Sequence, residues 1–394
     1  MLAGPLKRFD IFQPNLPVTA MNSFWTLSLR VLCLAGVIAL VGCANKPLSQ
    51  RVEGAKPGAG PAYAVDPYWP KPLPNAWLLG QVAGIATDKN QTIWVIHRPN
   101  TLTEDERGAT LKPPRSNSCT PAPPVLQFDA SGQLLQAWGG PGAGYEWPKN
   151  EHGIYADPEG NIWLGGNDAK DHMILKFTAQ GKFLMQIGRA GQSEGSLSTT
   201  QLGRPAHMEM DVAARELYVA DGYQNRRIVV FDADTGAFKR MWGAYGQAPQ
   251  DGPFPNYDPQ APYFGNPVHC VRLMRDGTVL VCDRMNNRIQ VFTKEGKFLR
   301  QMVFEANTRG SGSVWDLVAS EDPSQTYLMI ADGTNNEVRI VRRDTGEVVG
   351  TLGRSGRQAG DFHWVHNIAI DAQGNLYTAE VDTGKRAQKF TKVR

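Results

Sequence analysis

The sequence predicts an all-β fold, a six-bladed β-propeller, and three observations predict it. First, one phrase of two short apolar strands about a glycine-bearing turn recurs along the chain: "VLQFDASGQLLQAWGG" (125–140), "ILKFTAQGKFLMQIGR" (174–189), "IVVFDADTGAFKRMWG" (228–243), "IQVFTKEGKFLRQMVF" (289–304) and "VRIVRRDTGEVVGTLG" (338–353). Second, another apolar hairpin precedes each phrase, as in "HMEMDVAARELYVADGYQNRR" before 228 and "HCVRLMRDGTVLVCDRMNNR" before 289. That makes four strands per unit, at spacings of 46 to 69 residues, the mark of a propeller blade. Third, the 41 Gly and 27 Pro lie scattered between the apolar runs, as a turn-rich β protein requires.

Taken in order, the chain begins with residues 1–20, which lack signal character; Met21 is the better start, and 1–20 are expected to be an untranslated or disordered extension. Residues 21–42 carry Arg30 and then an apolar run of about twelve residues, Val31 to Gly42, too short to span a bilayer and right for a signal-peptide core. Leu40-Val41-Gly42-Cys43 resembles the lipobox of bacterial lipoproteins. The resemblance implies lipidation at Cys43 and an exported protein held on the membrane of the bacterial cell envelope; the alternative is an ordinary cleaved signal near Ala44. Residues 43–75, rich in Pro, Gly, Ala and Lys, read as a tether. The propeller is expected over 76–394.

Six inner strands are expected to start near Ala83, His152, His207, His269, Trp315 and His366. The last unit has only three strands before the chain stops, so its fourth comes from elsewhere. "NAWLLG" (75–80) ends like the fourth strands "QAWGG" and "RMWGA" and is expected to close the ring, removing the open sheet edge.

A net charge of +3 and 20% charged residues exclude a disordered acidic chain and a polybasic nucleic-acid binder. Of the five cysteines, Cys33 leaves with the signal and Cys43 is the lipid acceptor. Cys270 and Cys282 flank one short turn and can pair, a point the sequence leaves open, and Cys119 has no evident partner.

The first strand of each blade lines the propeller axis, so the column of six starting residues forms a ring there. Four of the seven histidines fall in it. His152, His269 and His366 sit on blades two, four and six, about 120° apart in a six-fold ring, and can converge on one point. Three imidazoles with an open fourth position are the ligand set of a catalytic zinc site. His207, on blade three, breaks the threefold pattern and is read as a supporting group or a substrate contact. At the ends of second strands, on the same face, stand Arg98, Tyr223 and Arg284. Arginines beside a bound cation suit a carboxylate, which guanidinium recognises bidentately. A phenol there is a candidate general base.

The blades resemble NHL repeats. "GQVAGIATDKNQTIWVIHRP", "EHGIYADPEGNIW", "VADGYQNRRIVVF", "NPVHCVRL", "CDRMNNRIQVF" and "VHNIAIDAQGNLYTAE" resemble peptidyl-α-hydroxyglycine α-amidating lyase in order and spacing, over roughly 76–393. The resemblance implies zinc at His152, His269 and His366, a catalytic tyrosine at Tyr223, and substrate-binding arginines at Arg98 and Arg284. It also implies a structural calcium ion, with carbonyls at Ile85 and Ile154; the family's aspartate ligand is Asn367 here, which offers one neutral oxygen. Trp364 stands where the animal enzymes carry methionine, and the copper monooxygenase domain that makes the substrate is not in the sequence. The implied activity is a lyase cleaving the carbon–nitrogen bond of an N-acyl or peptidyl α-hydroxyglycine, with a carboxylate-bearing small molecule or peptide as substrate and the protein a monomer. The competing reading is a non-enzymatic surface lipoprotein that binds a protein or glycan.

Overall fold

The structure is a computed structural model that describes residues 60–255 and 257–394. The expectations for 1–20, for 21–42 and for Cys43 lie outside the described residues. Among the described residues, no helix is long and apolar enough to cross a membrane.

Six four-stranded antiparallel sheets make the blades, each with its first strand innermost. The inner strands are Gln81–Thr87, Glu151–Ala156, His207–Asp211, Val268–Leu273, Asp316–Ala319 and Val365–Ile370. Apolar side chains alternate along each strand, so both faces of every sheet press on a neighbouring blade. The result is six separate interblade cores rather than one: Trp94, Ile96 and Val125 of blade 1 meet Ile154, Leu164 and Phe177 of blade 2, and so on around to Phe128 against Tyr377.

The recurring phrase has a packing cause. Its turn glycine takes a left-handed conformation (φ +79° at Gly181, +87° at Gly296), and the fourth strand of the preceding blade lies on it. A methyl group at Gly181 would stand 2.8 Å from the Trp138 ring, and one at Gly296 would stand 2.7 Å from Trp242. Blades 2 and 4 thus register on their predecessors through an aromatic laid on a bare turn, while Gly236 of blade 3 and Gly346 of blade 5 receive Ile187 with Met185 and Met302 in the same place.

The same rule locates the ring closure, and corrects the expected one. Tyr63–Asp66, not 75–80, is the fourth strand of blade 6, pairing with Arg386–Lys392 from Tyr63↔Lys392 to Asp66↔Lys389. It lies inside the segment that composition alone marks as tether. Tyr63 is buried among Phe362, Leu376 and Phe390, and Trp69, beyond the strand, covers the turn glycine of blade 1, Gly132, where a methyl group would stand 2.8 Å from its ring. Trp77 is a weaker anchor: Trp77–Leu78 makes a two-residue parallel pairing with Thr120–Pro121.

Buried Asp–Asn–Arg latches hold the loops that follow the second strands. Asp221 accepts from Gly203 N–H (2.7 Å), Asn225 Nδ2 (2.7 Å) and Arg227 Nε (2.9 Å). Asp283 repeats this with Gly265, Asn286 and Arg288, and Asp332 pairs with Asn335 and Arg339. The donors offset only part of the cost of burial, which still pushes the Asp283 and Asp332 carboxyls above the ordinary carboxylate range. Cys270 and Cys282, opposite one another on the first hairpin of blade 4, are joined in a disulfide; Cys119 is free.

Candidate metal centre and its mouth

The structure brings His152, His269 and His366 together on the axis. Their ring centroids are 5.1, 4.7 and 4.8 Å apart, and one nitrogen from each lies within 4.8 Å of the others. Backbone irregularity aims them. The ladder of blade 4 shifts between Val268 and Cys270, that of blade 6 between Val365 and Asn367, and that of blade 2 between Glu151 and Ile154. The shift skips His269 in blade 4, His366 in blade 6 and His152 with Gly153 in blade 2, and such a bulge turns a side chain out of the regular alternation.

Each imidazole is then fixed by the next blade. Nδ1 of His152 donates to the Ala206 carbonyl (2.8 Å), Nδ1 of His269 to that of Trp315 (2.5 Å), and Nδ1 of His366 to that of Ala83 (2.7 Å). A carbonyl only accepts, so the proton is on Nδ1 and the Nε2 lone pair is free, the tautomer a metal needs. Burial holds all three well below the ordinary histidine pKa, and each other's charges and nearby arginines lower them further. Three neutral, oriented imidazoles with no other acceptor among them fit a divalent transition ion.

Tyr223 joins this triangle. Its hydroxyl lies 3.0 Å from Nε2 of His152 and 3.1 Å from Nε2 of His269, and accepts from Nη1 of Arg284 at 3.3 Å. The Asp221 latch sets the loop, and Gly222 lets it pass Val268, whose carbonyl oxygen would lie 1.9 Å from any Cβ there. Arg284 is buried, its guanidinium 4.2 Å over the Trp315 ring, and its Nε finds no acceptor. Arg98 is held differently, by neutral oxygens alone: Glu151 carbonyl (2.7 Å), Gln81 Oε1 (2.7 Å) and Asn167 Oδ1 (3.3 Å). Of the two, Arg284 is the one with a buried donor unsatisfied.

His207 stays out of the triangle. The column place expected for it belongs to Ala206, whose N–H donates to the Ala220 carbonyl opposite His207 and whose own carbonyl accepts from His152 as those of Trp315 and Ala83 accept from His269 and His366. His207 stands one residue further along the ladder, and its Nδ1 has no partner. The expected calcium set does not fit either. Asn367 Oδ1 accepts from the Ile85 N–H at 2.6 Å while its Nδ2 donates to Asp316, so both ends of the amide are taken and its orientation is dictated.

No family model matches the chain. Against curated proteins, it is 26% identical over 405 residues to peptidyl-alpha-hydroxyglycine alpha-amidating lyase 1 of Drosophila melanogaster, covering 88% of this chain and 67% of that protein. The chain is an NHL-repeat-like six-bladed propeller homologous to the amidating lyases. It is also 27% identical over 283 residues to NHL repeat-containing protein 3 of Homo sapiens, covering 68% of this chain and 72% of that one. Among solved structures, a streptogramin B lyase aligns with a TM-score of 0.48 at 14% identity, covering 84% of this chain and 98% of that one.

Sequence reasoning missed Arg204 at this mouth, and it named Trp315 and Trp364 without bringing them together. Arg204, at φ +63°, donates from Nε to the Asn167 carbonyl (2.8 Å), and its guanidinium lies 5.8 Å from the Tyr223 ring, with that of Arg284 5.7 Å from the same ring. Asn167 thereby ties Arg204 to Arg98. Both sit in loops between named phrases, where no periodicity marks them. Trp315 and Trp364, ring centroids 5.4 Å apart, form an aromatic wall beside His366.

Proposed function

We propose that this chain is a zinc-dependent lyase that cleaves the carbon–nitrogen bond of an N-acyl or peptidyl α-hydroxyglycine, releasing a primary amide and glyoxylate. The observation that carries this reading is the Tyr223 hydroxyl, poised at 3.0 and 3.1 Å from two of three converging imidazoles with Arg284 on its other side.

Nε2 of His152, His269 and His366 would hold the zinc, which when bound would supply Lewis acidity toward the substrate hydroxyl. Tyr223 takes the proton of that hydroxyl. The oxygen's electron pair becomes the aldehyde carbonyl of glyoxylate, and the carbon–nitrogen bond breaks with its pair going to the amide nitrogen. The proton returns on that nitrogen, so the products balance without water. Arg284, with its unsatisfied buried N–H, receives the substrate carboxylate. Arg98, which no carboxylate hydrogen-bonds, adds positive potential on the other side of the mouth.

The test is elemental analysis of the purified protein beside an α-hydroxyhippurate cleavage assay. One zinc per chain with glyoxylate and benzamide in equal amounts supports the lyase; protein without transition metal and without glyoxylate leaves the non-enzymatic binding module. We further propose that Cys43 anchors the protein to the cell envelope. Cys43→Ser should move it to the soluble fraction or leave it unprocessed, and wild-type protein found soluble with Ala44 at its N-terminus overturns the anchor.

A further inference from the structure

Beyond the histidine triangle the inner strands carry a second polar layer, one to three residues further along. Glu209 of blade 3, Arg272 of blade 4, Asp316 of blade 5 and Asn367 of blade 6 make it up. Arg272 spans it. Its Nε donates to Asp316 Oδ1 (3.2 Å), and its Nη2 donates to Asp316 Oδ2 (2.7 Å) and to the Ile368 carbonyl (3.1 Å). Its Nη1 lies 3.9 Å from Glu209 Oε2. One side chain from blade 4 therefore touches blades 3, 5 and 6, with only 15% of it exposed.

Asp316 is saturated as well. Its Oδ1 also accepts from its neighbour Leu317 N–H (2.8 Å), and its Oδ2 from Ile368 N–H (3.1 Å) and from Asn367 Nδ2. With Arg272, that is donors enough for all the lone pairs of a carboxylate. A calcium ion takes six to eight oxygens with lone pairs to give. Here the carboxylate and the amide have given theirs to N–H groups, and a guanidinium already sits where an added cation would be repelled.

We infer that the cation of this channel layer is built into the chain as the guanidinium of Arg272, which ties blades 3 to 6 together, and that the propeller holds no calcium ion there. Asp316 and Asn367 are filled without calcium, leaving Glu209 Oε2 as the one buried oxygen of the layer's four side chains that lacks a hydrogen bond, and the metal requirement is confined to the histidine triangle. Arginine suits the task because it stays charged and presents a planar fork to a carboxylate.

The experiment uses the full chain in two measurements. Wild-type protein dialysed against millimolar calcium and then against calcium-free buffer is analysed for calcium, and its melting temperature is followed across a calcium titration. The expected result is calcium far below one per chain and an unmoved melting temperature, since an ion that bound only the folded state would raise it. One calcium per chain, or a melting temperature that climbs with calcium, overturns the inference. In parallel, Arg272→Met keeps the length and loses the charge, and Arg272→Lys keeps the charge without the fork. Arg272→Met is expected to melt several degrees below wild type, or to fail to fold, with Arg272→Lys between the two. Arg272→Met melting with wild type overturns the role of the guanidinium.

Discussion

Blades 3 and 4 are built alike and do different things. Both carry a histidine at the head of the inner strand and a buried Asp–Asn–Arg latch behind the second strand. Both place a site residue just past that strand, Tyr223 in one and Arg284 in the other. Yet His269 reaches the metal centre and His207 does not, and the difference is one residue of register. In blade 4 His269 holds the axial column, where the ladder shifts; in blade 3 Ala206 holds that place and His207 follows it in the regular ladder. A histidine one residue away from the axial column is thus no part of this site, and exact position along the inner strand decides which histidine takes part.

The sharpest way to break that comparison is a matched pair of substitutions. His269→Ala should reduce bound metal to near zero after dialysis, as should His152→Ala and His366→Ala. His207→Ala should leave it unchanged by elemental analysis, and equal losses at His207 and His269 would refute the register argument. Next in size, Tyr223→Phe should keep the metal while turnover falls by about 10²–10⁴-fold, the range a general acid–base group supplies. A kcat near that of wild type with glyoxylate as product would remove Tyr223 from the mechanism. Because the latches are common to both blades, Asp221→Ala and Asp283→Ala should cost alike, about 3–5 kcal/mol each by denaturant unfolding, since each strands a fully buried arginine.

The smallest effect expected is a pH dependence where the two blades face each other. Burial pushes the Glu209 carboxyl of blade 3 up to about 7, against the pull of Arg272 from blade 4, with Asp316 of blade 5 raising it further; Tyr155 of blade 2 faces the same group. Between the ordinary carboxylate range and about 7, the folded chain holds a proton that the unfolded chain has released. Stability from this group should therefore be greatest below that range and decline as pH rises toward 7. Glu209→Gln should flatten that decline in melting temperature between pH 5 and 8, and an unchanged slope would assign it to other groups.

Much of this was legible in the sequence because repetition exposes what single motifs hide. Five copies of one hairpin phrase are enough to number the blades, and the histidine column follows once the inner strands are aligned. The closing strand was not legible for a physical reason. Tyr63–Asp66 has only four residues in a Pro- and Gly-rich stretch, and the feature that identifies it, its pairing with Arg386–Lys392, is a contact across the chain's two ends. Bulges were illegible too: nothing in "NPVHCVRL" or "PAHMEMD" announces which histidine will be turned. Arg204 escaped because its place depends on Asn167 in a different blade's loop.

The closure has a topological consequence. Ala62 N–H donates to the Arg394 carbonyl (3.2 Å) and Val393 N–H to that of Ala62 (2.8 Å), so the described ring begins and ends at one seam. Once zipped, the folded ring has no privileged first blade; only the order of synthesis picks one. A short linker joining 394 to 60, with new ends cut into the exposed glycine loop at 139–144, should give a permuted chain with the same melting behaviour and metal content. The seam, rather than any blade, is then the movable part of the molecule, a place where the gene can be reopened without rewriting the axis.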